Sequence, residues 1–138
     1  MSNKTLGIYG EALAKIHLRS LGYQILEENF RNKLGEIDLI AQDGKTICFV
    51  EVKTRQSLDQ GQPYEAINSW KIRKLSQMAT FYLKHRFHTV EIPSRFDVIS
   101  IVQDKLGAIS IQHIKNAFDS TWWVLRPLLF IDTSGSFI

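Results

Sequence analysis

A chain of 138 residues with 44% hydrophobic and 22% charged residues is long enough to bury a real core and has the composition of one globular domain. Its formal net charge of +3 permits a polyanionic partner without demanding one, because nucleic-acid binding is marked by a clustered basic patch and not by a small excess. The single cysteine, Cys48, excludes an intrachain disulfide and any zinc site built from several thiolates. Met1–Leu21 alternates polar and apolar residues, and no apolar run approaches the roughly 18 residues of a membrane span. The expected compartment is therefore the cytoplasm, with no membrane partner.

The spacing predicts a first helix over Thr5–Leu21, stopped by Gly22. Glu11, Ala14, Leu18 and Leu21 fall on one stripe of it, which places a carboxylate among apolar residues. Two roles are open to Glu11: a boundary carboxylate reaching water near the positive helix end, or a group turned towards a site. Tyr23–Phe30 reads as a strand and Arg31–Leu34 as a basic turn. Gly35–Gln42 and Lys45–Lys53 read as strands joined at Asp43-Gly44, a strong signal for a two-residue hairpin loop. Thr54–Pro63 is a polar loop. Tyr64–Arg86 is a long helix with Ile67, Lys71, Met78 and Tyr82 on one side, its apolar face widened by Trp70, Leu75 and Phe81. Arg95–Gln103 and Ala108–Ile114 are the last strands. A helix between the third and fourth strands predicts a parallel crossover, hence an α/β fold with a mixed central sheet flanked by helices. Residues 1–118 read as one domain. The apolar extension Asp119–Ile138, with Trp122 and Trp123 and a break at Arg126-Pro127, fits packing on a second copy of the chain.

The chemistry concentrates in the hairpin. If Gln42 faces Lys45, then Asp38 faces Phe49, and Glu36, Asp38, Glu51 and Lys53 share one face, with Ile37, Leu39, Cys48, Val50 and Val52 on the other. Asp38 and Glu51 become diagonal neighbours, roughly 7–8 Å apart along the backbone. Two carboxylates at that spacing suit a hard divalent cation that also takes waters and phosphate oxygens, and the Val52 carbonyl could add a ligand. Lys53 could orient a water or offset charge in a phosphorane-like transition state, and Glu11 could join as an outer ligand. The plain alternative is an edge-strand salt bridge between Glu51 and Lys53. Arg31, Lys33, Arg55, Lys71, Arg73 and Lys74 flank these positions as prospective phosphate contacts. His17, His85, His88 and His113 show no ligand spacing and are assigned no role.

The pattern Gly7…Gly10-Glu11…Ala14, Asn29-Phe30-Arg31, Gly35-Glu36-Ile37-Asp38-Leu39-Ile40 and Phe49-Val50-Glu51-Val52-Lys53-Thr54-Arg55 resembles the YraN-like bacterial proteins (uncharacterised protein family 0102). Lys71 and Arg95-Phe96-Asp97-Val98 continue the likeness, which covers about Leu6–Phe118. That family looks like a branch of the PD-(D/E)xK nuclease superfamily, close to the archaeal Holliday-junction resolvases. The resemblance implies a restriction-endonuclease-like α-βββ-αβ core and catalytic positions at Glu11, Asp38, Glu51 and Lys53. It implies Mg²⁺ or Mn²⁺ at Asp38 and Glu51, structured or branched DNA as substrate more than RNA, and a homodimer for a two-fold junction. Ile37 stands where the superfamily name pattern has proline. A nucleic-acid-binding module with this fold and no turnover, and a self-associating interaction domain, are the competing expectations.

Overall fold

Two helices cover opposite faces of a mixed sheet in the computed structural model, which describes residues 2–56 and 68–117. The order is α1 (Asn3–Ser20), β1 (Gln24–Asn32), β2 (Gly35–Asp43), β3 (Thr46–Arg55), α2 (Ser69–Phe87), β4 (Ser94–Gln103) and β5 (Ile109–Ile114). Strand order in the sheet follows chain order, with β3 and β4 parallel and the other neighbours antiparallel. The expected α/β architecture is observed. The start of the expected Tyr64–Arg86 helix, most of the Thr54–Pro63 loop and the Asp119–Ile138 extension lie outside the described residues. No helix among the described residues is long and apolar enough to cross a membrane.

The α1 face buries Ala14 and Leu18 against Leu39, Ala41, Cys48, Val50, Ile99 and Ile101. On the α2 face, Leu75, Met78, Tyr82 and Leu83 pack on Ile37, Ile40, Ile47, Phe49 and Phe96. Side-chain alternation along the strands feeds both cores, so these strands are apolar on both faces. Ser2 caps α1 by accepting the Thr5 N–H at 3.1 Å, which puts Glu11 in the third turn, beyond the reach of a first-turn dipole effect. The buried stripe of α1 is Leu6, Gly10, Ala14 and Leu18, a four-residue repeat; Leu21, expected on it, is half exposed. Trp70 and Phe81 likewise lie exposed on α2, not on its buried face. Cys48 is wholly buried and its thiol is pushed up to about 12 by burial and by the nearby Asp97 charge, so it is chemically quiet.

Candidate functional site

The hairpin closes one residue later on each strand than the Asp43-Gly44 reading placed it. Asp43 pairs with Thr46 and Gln42 with Ile47, leaving Gly44-Lys45 as the loop. Gly44 has φ +59 and Lys45 is not among the positive-φ residues, which matches the two-residue turn that wants glycine first. Moving both strands by one residue preserves parity, so Asp38 and Glu51 remain neighbours, now across from each other instead of diagonal.

Pairing of β2 with β3 ends at Leu39 and Val50. Beyond that point β2 stays with β1 through Ile37 and Glu36, while β3 stays with β4 from Glu51 to Arg55. The sheet therefore forks, and Asp38 and Glu51 are the first residue on each side of the opening. Asp38 spans the gap by accepting the Val52 N–H at 2.8 Å. Face alternation also breaks here: Ile37 packs with Ile40 in the α2 core, not with Leu39 as a regular strand would require. The partner strand carries the matching irregularity, with Asn29 at φ +51 opposite the break. At this irregular point the Val52 N–H holds the Asp38 carboxylate on the Glu51 side of the opening.

Glu51 is buried and ion-paired with two lysines. Lys71 of α2 holds Oε2 at 2.8 Å and Lys53 lies 3.6 Å from the same oxygen. Burial, then the Glu51 charge, pushes the Asp38 carboxyl up to about 7, because two neighbouring carboxylates resist joint ionisation. The two lysines diverge. Burial and the adjacent Lys71 lower Lys53 from its ordinary value. Burial acts on Lys71 in the same sense, but its hydrogen bond and charge interaction with Glu51 outweigh it and hold Lys71 up. One ammonium is thus anchored beside another that gives up its proton more readily, a division that suits acid–base work.

Of the expected site residues, the fold brings together Asp38, Glu51, Lys53 and Lys71. Lys71 was expected among phosphate contacts, yet it is a direct partner of Glu51. Glu11 stays on the α1 side. Burial, then the charge of Glu36, raises its pKa, and Asp38 feels its field, but it makes no hydrogen bond or ion pair with Asp38, Glu51 or Lys53. Arg31 is exposed and pairs with Glu36 at 3.2 Å, which accounts for Glu36 as a supporting charge. Lys33 is exposed in the β1–β2 turn, and Arg55, half-buried, ends β3 two residues beyond Lys53. Among the described residues, no group of three or more His, Cys, Asp or Glu side chains is arranged to hold a metal ion.

Two histidines given no role belong to a second network. Asp97, fully buried, accepts from Arg95 Nε at 3.0 Å, from the Asn116 N–H at 3.0 Å and from His113 Nε2 at 2.9 Å. His113 Nδ1 in turn meets His17 Nε2 at 3.1 Å. Residues 17 and 113 are 96 positions apart, so no local spacing marks them. The signal in the sequence is Asp97 itself, a carboxylate in an otherwise apolar strand.

Residues 10–101 match the pattern of the family described as uncharacterised protein family UPF0102. A UPF0102 protein of Geotalea daltonii is 48% identical over 117 residues, covering 85% of this chain and 91% of the relative. One of Geobacter metallireducens is 48% identical over 120 residues, covering 86% and 96%. A third, of Caldicellulosiruptor saccharolyticus, is 45% identical over 119 residues, covering 86% of this chain and all of the relative. The chain belongs to uncharacterised protein family UPF0102, the YraN-like family that its hairpin motifs resemble.

Proposed function

We propose that this protein is a metal-dependent endonuclease that hydrolyses phosphodiester bonds in structured or branched DNA. The observation that carries the reading is the fork between β2 and β3, where Asp38 and Glu51 meet each other and two lysines of divergent proton affinity. A carboxyl pushed towards neutrality by burial and by a neighbouring carboxylate is one where a cation can replace the proton. Two carboxylates and no thiolate or imidazole suit Mg²⁺ or Mn²⁺, which take water and phosphate oxygens as their remaining ligands, and do not fit a closed structural zinc site. When bound, such an ion supplies Lewis-acid polarisation of the phosphoryl oxygen and acidifies a water.

The chain's own residues would do the rest. Asp38, fixed by the Val52 N–H, and Glu51, fixed by Lys71, are the ion's protein ligands. Lys53 orients the attacking water, and its ammonium offsets the charge of the hydroxide that forms. Lys71 keeps its charge and offsets that of the scissile phosphate. Arg31, Lys33 and Arg55 are proposed as flanking phosphate contacts, and Glu11 acts on the site through its field.

Duplex, flap, four-way-junction and single-stranded DNA, each with Mg²⁺ and with Mn²⁺, provide the test. At least one substrate is cut, and Asp38→Ala or Glu51→Ala lowers the rate by more than the roughly 100-fold that losing an outer-shell partner can cost, with unchanged far-UV circular dichroism. Lys53→Met slows cleavage about 10²–10⁴-fold. Cleavage that survives in both carboxylate variants, after contaminating nuclease is removed, overturns the proposal. One contact favours a second reading, a DNA-binding module without turnover. The Lys71–Glu51 ion pair already offsets one carboxylate without a metal. Calorimetric titration with Mn²⁺ separates the two, since only the nuclease requires heat that disappears in Asp38→Ala.

A further inference from the structure

We infer that a cleft beside the carboxylates, walled by Trp70, stacks an unpaired nucleobase, so that the preferred DNA has a base out of the helix next to the cut. This rests on the nuclease reading and narrows its substrate. The cleft holds about 350 Å³ between Leu34 of the β1–β2 turn, Gly35 and Glu36 at the start of β2, and Trp70, Lys71 and Lys74 of α2. That is the small end of the range for ligand pockets. It suits a single ring system and is far too narrow for a duplex.

Trp70 stands in the first turn of α2 and is 66% exposed, more than any other aromatic among the described residues. Lys74, one turn on, holds its ammonium 5.4 Å from the indole centroid. Opposite them Gly35, at φ +146, contributes no side chain to the turn. Glu36 has its charge offset by Arg31 at 3.2 Å and leaves a carboxylate oxygen able to accept from a base edge. A flat π surface beside two ammonium groups selects a flat ligand that carries an anion, which is the chemistry of a nucleotide.

Lys71 ties the cleft to the reaction. It lines the cleft and contacts Glu51 at 2.8 Å, so a nucleotide stacked on Trp70 lies one side chain from the carboxylate pair. A base within a duplex has both faces covered and must leave the stack before it can occupy such a pocket. Flaps, junction arms and single strands present bases that have already left. Selection between branched and plain DNA then follows from the cost of unstacking, with no reading of sequence.

Fluorescein-labelled flap and blunt duplex DNA of matched length, bound by the full chain in EDTA and followed by anisotropy, test this without cleavage. The wild type binds the flap more tightly. Trp70→Ala loses about 10-fold or more on the flap, the scale of one stacked base, and changes little on the duplex. Trp70→Phe keeps most of the preference and both variants melt as the wild type does, which a purely structural role would not produce. Equal affinity of Trp70→Ala and wild type for the flap, or no wild-type preference over duplex, overturns the inference. The same proteins are then given Mg²⁺ and Mn²⁺. Trp70-dependent binding without any cleavage sinks turnover and leaves the pocket standing; cleavage of flaps that Trp70→Ala leaves intact does the reverse.

Discussion

Asp38 carries a conflict when no cation is near. Its carboxylate is needed as an acceptor for the Val52 N–H, yet burial and Glu51 push its pKa from 3.8 up to about 7. Between those values the native chain holds a proton that the unfolded chain has released, so this group's contribution to stability falls as pH rises from about 4 to 7. Asp38→Asn keeps an oxygen for Val52 and can donate an N–H to Glu51. In EDTA it should be more stable than wild type by about 1–3 kcal/mol at pH 8 and about equal to it at pH 4, as measured by urea unfolding. Equal stability at both pH values would refute the conflict. The charge cluster itself was legible, because Asp38, Glu51 and Lys53 sit in apolar strands at positions that share a face, and parity survives the register error. The role of Lys71 was not, since its contact crosses from α2 to β3 and depends on the helix packing angle.

The helix α1 depends on a close approach that hydropathy does not record. A Cβ on Gly10 would lie 2.1 Å from Thr54 Cγ2 and 3.4 Å from Ile101 Cδ1, so the glycine lets α1 settle onto β3 and β4. Gly10→Ala gains up to about 1 kcal/mol of helix propensity and meets about 1–3 kcal/mol of overpacking. A net loss of about 1–2 kcal/mol is expected, with Thr54→Ser restoring it in a double-mutant cycle. No coupling between the two positions would show that α1 accommodates the methyl elsewhere. Thr54 follows Lys53 directly, so a displaced α1 also bears on the site. This explains why the helical stripe was half right: Ala14 and Leu18 announce it, whereas Gly10 is buried for its smallness and no apolar pattern finds it. The same holds at β2. Alternation predicts a straight strand, whereas its break at Asp38 lies across from Asn29, at φ +51, on the neighbouring strand, a pairing that β2 alone does not encode.

Across the whole molecule, one polar network runs alongside the apolar core under α1 and ties together the same strands and helix. Arg95 joins Asp97, Asp43 at 3.2 Å and the Tyr23 hydroxyl at 2.7 Å, linking β4 to the end of β2 and the entry to β1. His113 and His17 extend it through β5 to the end of α1. Burial opposes the charge on Asp97, but hydrogen bonds from His113 and Arg95 prevail and hold its carboxyl below the usual value. Its contribution is therefore present above 3.8 and lost only at lower pH. Asp97→Ala leaves Arg95 only the more exposed Asp43 as a counter-charge and takes the acceptor from His113 and the Asn116 N–H, and should cost about 3–5 kcal/mol in urea unfolding. His17 behaves differently. Burial and His113 lower its pKa from 6.5, so below 6.5 the unfolded chain takes up a proton first and stability falls as pH drops. That slope opposes the one from Asp38 over the same range. Relative to the wild type, Asp38→Asn should tilt the profile towards greater stability at high pH and His17→Gln towards greater stability at low pH. The glutamine amide still donates to His113 Nδ1, so the last variant removes the titration and keeps the link. Unfolding midpoints of the three proteins at about pH 4.5, 5.5 and 6.5, chosen within that range, decide the matter; parallel profiles would mean that neither group governs acid stability.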